Sequence, residues 1–391
     1  MKPPRILIIA GSDSGGGAGI QADIKTVTML GAFAMTAITA ITAQNTVGVT
    51  GVLPIPAEMV LAQIDAVLGD LGADAIKIGM IGSAETAHAV ADRLERLDGL
   101  PIVFDPVMVA TSGSVLADEA TIGAFERLMQ VSALVTPNAP ELAALAGAQG
   151  DVEQLARSLA SRVGAAVLAK GGDRPGSSVT DVLVDGETLV RWEDERIKTP
   201  HSHGTGCTLA SAISVALAAG VPLPEAVSRA RTFVRLALRE APGFGAGHGP
   251  MGHQRLTLDL PPPALPMLNH VTLPASDYQA SAAFYRALGC KQIVASPPRY
   301  ARFEVPGGMT LSIEVREPAD LPSTSGYFFQ CDDVDETVDR LVAAGIRFDV
   351  MPEDCSYLWR VAETRDPHGN RVCLYAPEEN RRFPPWRVSG G

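Results

Sequence analysis

His203-Gly204-Thr205-Gly206-Cys207-Thr208-Leu209 runs without a break into Ala210-Ser211-Ala212-Ile213-Ser214-Val215-Ala216-Leu217-Ala218-Ala219-Gly220. The second part is apolar and alanine-rich, so it reads as a buried helix stopped by Gly220-Val221-Pro222. The glycine turn before it therefore sits at a helix N-terminus, where unpaired N–H groups and the positive dipole end bind anions. Gly204 and Gly206 let the backbone close around a phosphate without a side chain in the way. Cys207 falls in the first turn, where the helix field favours a thiolate. Phosphate handling is the expectation.

Upstream, short apolar runs at 6–10, 35–40, 75–78, 102–104, 134–136 and 165–169 alternate with longer Ala/Leu-rich helical patterns. Strands apolar on both faces and separated by helices imply a mostly parallel α/β sheet covered on both sides. Ligands collect at the carboxyl ends of such strands. The loops there carry the unusual residues: the glycine run 11–19, Asp105-Pro106-Val107-Met108, Pro137-Asn138-Ala139-Pro140-Glu141 and Lys170-Gly171-Gly172.

The chain has 391 residues, long for one domain. Residues 1–254 form the α/β pattern, and the proline-rich segment 255–266 reads as a stiff linker. Alternating runs and two helical stretches over 267–377 divide into two β-α-β-β-β halves of a smaller α+β domain, followed by a polar tail at 378–391. A net charge of −12 argues against nucleic acid or an anionic membrane as partner. Five scattered cysteines without a CxxC pair fit a reducing cytoplasm. The apolar run near the start is too short for a signal peptide, and no stretch reaches membrane-helix length.

The first glycine loop fits neither common nucleotide grip. Gly15 and Gly17 would need a third glycine at 20, which is Ile20, and no G-x-x-x-x-G-K-[ST] occurs. Residues 1–254 instead resemble the hydroxymethylpyrimidine kinase/phosphomethylpyrimidine kinase family of thiamine biosynthesis, within the ribokinase-like superfamily. The resemblance rests on residues 10–26, Ala43-Gln44-Asn45-Thr46, Lys77-Ile78-Gly79-Met80, Asp105–Met108, Thr136-Pro137-Asn138, Lys170–Gly172, His203–Thr208 and Gly247-His248-Gly249-Pro250, in that order. It implies a three-layer α/β/α sandwich and two successive phosphorylations of hydroxymethylpyrimidine with ATP and Mg²⁺. It implies a pyrimidine pocket of Asp23, Gln44, Met80 and Val107. Gln44 suits an aminopyrimidine because its amide offers a donor and an acceptor on one plane. Asn138, Glu141 and Lys170 match positions that hold phosphates and Mg²⁺, and Asp105 is a further candidate for the metal or phosphate network. Cys207 matches the position of the catalytic base, and Gly204, Thr205 and Gly206 that of the anion hole. A pyridoxal or pyridoxine kinase shares the fold, and a small-molecule binding or resistance protein acting through the second domain is a rival of another class.

Residues 267–377 resemble the glyoxalase/bleomycin-resistance/dioxygenase group through 268–273, 281–289, 331–335 and 366–375. Metal enzymes of that group draw ligands from both halves. His270 and Glu314 match in the first half, whereas Gly326 and Cys373 stand at the corresponding positions of the second. Two hard ligands are few for a closed divalent site, so a metal-free module is the favoured reading. Both resemblances imply a homodimer.

Overall fold

The computed structural model describes residues 2–256, apart from 98, 110–112 and 114–115, and residues 270–376, apart from 306–308, 317–325, 332 and 357. The chain forms two compact units, Met1–Pro263 and Ala264–Gly391. Of the expected linker, residues 257–266 lie outside the described residues, as does the tail at 378–391. The two residues before that gap are not linker. Arg255 closes a short 3₁₀ turn, His253–Arg255, and Leu256 is buried in the first unit against Phe233, Ala237 and Met251.

The first unit holds strands β1 (Arg5–Asp13), β2 (Phe33–Asn45), β3 (Gly48–Pro54), β4 (Ala75–Ile78), β5 (Ile102–Phe104), β6 (Leu134–Val135), β7 (Ala166–Ala169), β8 (Ser178–Asp185) and β9 (Thr188–Glu195). They form one nine-stranded sheet in the order β3-β2-β1-β4-β5-β6-β7-β8-β9. Pairing is parallel from β2 to β7 and antiparallel where β3, β8 and β9 join. Period-two alternation explains the three layers. In β1, Leu7 and Ile9 enter one core, while Ile6, Ile8 and Ala10 enter another on the opposite face. The first core is closed by helices α2 (Ala57–Asp70), α3 (Ala84–Leu94), α4 (Glu119–Gln130), α5 (Ala139–Ala146) and α6 (Val152–Val163). The opposite face is covered by α1 (Gly19–Met29), α7 (Thr205–Ala218) and α8 (Leu223–Arg239). Among the described residues no helix is long and apolar enough to cross a membrane.

The three antiparallel strands are the part that the apolar runs did not announce. Most of β3 is exposed, and β9 alternates between exposed and half-buried residues. Neither carries the two-sided apolar run of an inner strand. A local signal was present: Asp185-Gly186, with Gly186 at φ +56°, makes the tight turn between β8 and β9.

The second unit repeats one plan. Strand β10 (His270–Ala275), helix α9 (Tyr278–Ala287) and strands β11 (Lys291–Ser296), β12 (Tyr300–Glu304) and β13 (Thr310–Val315) form a sheet ordered β10-β13-β12-β11. Strand β14 (Gly326–Gln330), helix α10 (Val334–Ala343) and strands β15 (Phe348–Asp354), β16 (Arg360–Arg365) and β17 (Arg371–Ala376) form another, ordered β14-β17-β16-β15. Both helices start from an aspartate cap, Asp277 accepting from Ala280 N–H and Asp333 from Glu336 N–H. The duplication is thus visible in topology and in caps.

Candidate active site

A cleft of about 940 Å³ lies along the carboxyl ends of the strands of the first unit. The start of α7 stands in its middle. Gly204 caps the helix at φ +83°, and a Cβ there would come within 1.9 Å of the Gly17 carbonyl oxygen. Only glycine fits, so the first glycine loop and the α7 turn pack backbone to backbone. A Cβ on Gly206 would lie 3.1 Å from Lys170 Nζ and 3.3 Å from Asp105 Oδ2. The first-turn amides of α7, a lysine and a carboxylate therefore share one small space, and Thr205 lines it with them.

The charges around that space come from the ends of β5, β6 and β7. Lys170 Nζ donates to Asp105 Oδ1 at 2.7 Å and lies 3.9 Å from Glu141 Oε2. Burial opposes the Lys170 charge, but Asp105 and Glu141 more than offset it and hold the ammonium protonated. Thr136 Oγ1 donates to Asp105 Oδ1 at 3.2 Å. Asn138 and Glu141 are first of all a helix cap. The Asn138 side chain accepts from Glu141 N–H and Glu141 Oε2 accepts from Asn138 N–H, both at 2.8 Å, with Pro140 in the first turn of α5. The Asn-x-x-Glu spacing announces that box as clearly as it announces a phosphate site. Burial raises the Glu141 carboxyl to about 7, Lys170 opposing and Asp105 reinforcing the rise.

Gln44, Met80 and Val107, three of the expected pyrimidine residues, all line the cleft. Asp23 does not join them. It is wholly buried on α1, where one carboxylate oxygen accepts from Lys77 Nζ at 2.9 Å and the other from Ser211 Oγ at 2.7 Å. The expected substrate contact is a buried ion pair bracing α1, β4 and α7 from beneath. Lys77, in the expected strand β4, also lines the cleft.

Asp13 and His203 were also missed. The Asp13 carboxylate accepts from the N–H groups of Gly15 (2.7 Å), Gly17 (3.0 Å) and Ala18 (2.8 Å). Burial works against its charge, yet His203 and the Ala18 and Gly15 amides hold it below the usual carboxylate range. His203 Nε2 lies 3.1 Å from Asp13 Oδ2 and 3.0 Å from the Gln44 amide. At the other end of the α7 turn, Thr208 Oγ1 lies 2.8 Å from His253 Nε2. Burial, with Lys25 adding, lowers His253 to about 4, so the ring is neutral and its Nε2 accepts from the threonine.

Cys207 corrects one expectation. The helix field was to bring its thiol toward neutrality, but burial pushes it up to about 11. Lys77 pulls the other way, and Asp23 and Asp105 push with burial. Two carboxylates and low polarity outweigh one dipole.

The expected metal residues of the second unit lie on the paired strands β10 and β13. In the parallel pairing of β10 with β13, His270 stands opposite Thr310 and Glu314 opposite Pro274. The strand positions of His270 and Glu314 are four residues apart in register, about 13 Å along the strands. Glu314 is instead held by Arg316 Nη2 at 2.6 Å. Cys373 is buried, its thiol raised to about 11 by burial and then by Glu363. Among the described residues no cluster of three or more His, Cys, Asp or Glu suits a metal.

Comparison with known proteins follows the same division. Residues 267–374 match the glyoxalase/bleomycin resistance protein/dioxygenase superfamily, and residues 13–252 match the family described as phosphomethylpyrimidine kinase. Over 255 residues the chain is 51% identical to the hydroxymethylpyrimidine/phosphomethylpyrimidine kinase of Rhizobium meliloti, covering 63% of this chain and 96% of that protein. The Bacillus subtilis protein of the same name is 44% identical, with 64% and 94% covered. Among solved structures, the ADP complex of Bacillus subtilis pyridoxal kinase superposes with a TM-score of 0.61 at 33% identity, over 66% of this chain and 100% of that one. Phosphomethylpyrimidine kinase from Clostridium difficile 630 gives 0.53 at 35% identity, over 60% and 98%. The likeness spans the whole α/β unit and includes every strand end that borders the cleft: this chain belongs to the phosphomethylpyrimidine kinase family.

Proposed function

We propose that the first unit transfers the γ-phosphoryl group of ATP to 4-amino-5-hydroxymethyl-2-methylpyrimidine, and then a second phosphoryl group to the monophosphate, in thiamine biosynthesis or salvage. One observation carries this reading: the α7 turn, Lys170 and Asp105 meet at one point of the cleft, between the Gln44 wall and the wall beyond β7. Phosphoryl transfer asks for alignment and charge neutralisation rather than covalent chemistry. The Gly204–Gly206 amides accept the charge that develops on the transferring group, and Lys170 supplies a point charge beside it. Gln44 pairs with the aminopyrimidine edge, while Met80 and Val107 exclude water from its ring.

Asp105 and Glu141 fit Mg²⁺, a hard cation that takes one or two carboxylates alongside substrate phosphates and water. Glu141, raised to about 7 chiefly by burial, is held ionised by a cation nearby. When bound, the ion neutralises phosphate charge. Asn138 serves there by holding the Glu141 backbone and carboxylate in the cap.

The Cys207 thiol is protonated in the resting site. It first gives that proton to solvent, and we assign the resulting thiolate the proton of the substrate hydroxyl in the first transfer only, because the nucleophile of the second transfer is already an oxyanion. The second unit is an accessory module outside this chemistry. We further expect a cytoplasmic homodimer acting on small molecules, a state that light scattering reads directly.

Pyridoxal is the rival substrate, favoured by the likeness to a pyridoxal kinase. ATP turnover on hydroxymethylpyrimidine, its monophosphate and pyridoxal separates the two. Turnover of both pyrimidines supports the proposal, and turnover of pyridoxal alone overturns it.

A further inference from the structure

The segment 172–177 follows directly on Lys170-Gly171 and links β7 to β8. It has little regular structure, yet its carbonyls converge on one side chain. The Arg196 guanidinium, just past the end of β9, donates from Nη1 to Gly172 O (2.7 Å), from Nε to Gly176 O (2.9 Å) and from Nη2 to Arg174 O and, at 3.4 Å, to Ser178 O. The backbone adds Arg196 N–H to Ser177 O at 2.8 Å. At the near end, Gly171 N–H donates to the buried Asp181 carboxylate at 2.7 Å. Gly172, Asp173 and Arg196 all line the cleft.

The strand order says which substrate this segment borders. From β2, which carries Gln44, to β7, which leads to Lys170, there are five strand steps, about 24 Å at the usual spacing. Arg196 lies two strands beyond, on the far side of Lys170 from the pyrimidine wall. A segment placed there meets the phosphoryl donor, not the acceptor. We propose that Arg196 is a positioning residue for the nucleoside triphosphate: its planar fork fixes segment 172–177 as a preformed wall of the donor end of the cleft. The inference rests on the phosphoryl-transfer reading above. Guanidinium geometry matters here, because a lysine ammonium cannot span carbonyls spread over five residues in one plane. Without the fork the nucleotide would have to order the segment as it binds, which weakens affinity without touching the transfer centre.

The test is steady-state kinetics of Arg196→Ala and Arg196→Lys with ATP and hydroxymethylpyrimidine varied in turn. Direct binding of a non-hydrolysable ATP analogue to the full chain is measured alongside. Arg196→Ala is expected to raise the KM for ATP and the analogue Kd about tenfold, with the pyrimidine KM within twofold and kcat within threefold. Arg196→Lys should give a smaller loss of the same pattern. An unchanged KM for ATP, or a rise in both KM values together, overturns the proposal. If the alanine variant does not fold, an unchanged analogue Kd in the lysine variant overturns it equally. Wild-type protein that binds the analogue but phosphorylates neither pyrimidine defeats the functional reading instead, and the Kd comparison still decides the role of Arg196.

Discussion

Gln44 Nε2 and His203 Nε2 are 3.0 Å apart, and the other end of the same amide, Oε1, accepts from Thr42 Oγ1 at 3.2 Å. Asp13 Oδ2 lies 3.1 Å from the same His203 nitrogen, and the Thr42 hydroxyl is shared with Ser12 O at 2.9 Å. The Gln44 nitrogen faces His203 and its oxygen faces Thr42. The remaining lone pair and the remaining N–H are left for the pyrimidine. Gln44→Glu keeps the shape and removes both donors, next to the Asp13 charge. The expected outcome is a rise in pyrimidine KM of about 10- to 100-fold, with the KM for ATP nearly unchanged. Initial rates at varied pyrimidine check it, and a KM within twofold of wild type would remove Gln44 from the recognition scheme.

Cys207 should separate the two phosphorylations. With a thiol at about 11, the thiolate fraction grows tenfold per pH unit through the neutral range. The first step should therefore accelerate from pH 7 toward pH 9, while the second stays flat. Cys207→Ala should slow the first step by about 10²-fold or more and leave the second within threefold. Each substrate is assayed separately across that range. Equal losses in both steps would make Cys207 a positioning residue and not a proton acceptor.

The Lys77–Asp23 pair is a stability element with a distinctive signature. Both side chains are wholly buried, so removing one partner strands a charge in the core. Lys77→Met should cost about 3–5 kcal/mol, whereas adding Asp23→Leu should recover most of that loss. Urea unfolding of the single and double variants measures the coupling. A double variant less stable than the single one would refute the buried-pair account.

His253 sets an acid limit on the first unit. Its folded value, about 4, lies below the ordinary 6.5. The unfolded state thus binds the extra proton between these values. Stability from this group is full above about pH 6.5 and is lost as the pH falls toward 4, by about 3 kcal/mol in total. In His253→Gln, whose amide oxygen still accepts from Thr208, that part of the acid sensitivity should vanish. Urea midpoints at pH 7 and pH 4.5 decide it, since an identical drop in both proteins would place the titrating group elsewhere.

Two-sided apolar runs, glycine turns and the order of loop motifs were enough to announce a parallel α/β unit with its ligands at the strand ends. They also announced a duplicated second unit. Those features act through local backbone preference and alternation, which a linear sequence carries. The site was legible only in part. Met80, Val107, Asp105 and Lys170 follow directly on strands, Gln44 lies at the end of β2, and the cleft gathers them. Asp23 looked like one of them until packing put it beneath the cleft against Lys77 of β4. Asp13 and His203 are 190 positions apart, and only their meeting reveals that they set the Gln44 amide.

The opening turn shows the same division. Gly204-Thr205-Gly206-Cys207 declares a helix N-terminus by itself, because glycine and the following apolar run dictate local geometry. The protonation of Cys207 is another matter. It depends on Lys77, Asp23 and Asp105, which arrive from three other elements. A dipole is local and was read from the sequence, whereas burial and opposing charge are properties of the folded surroundings, and tertiary structure alone decided them.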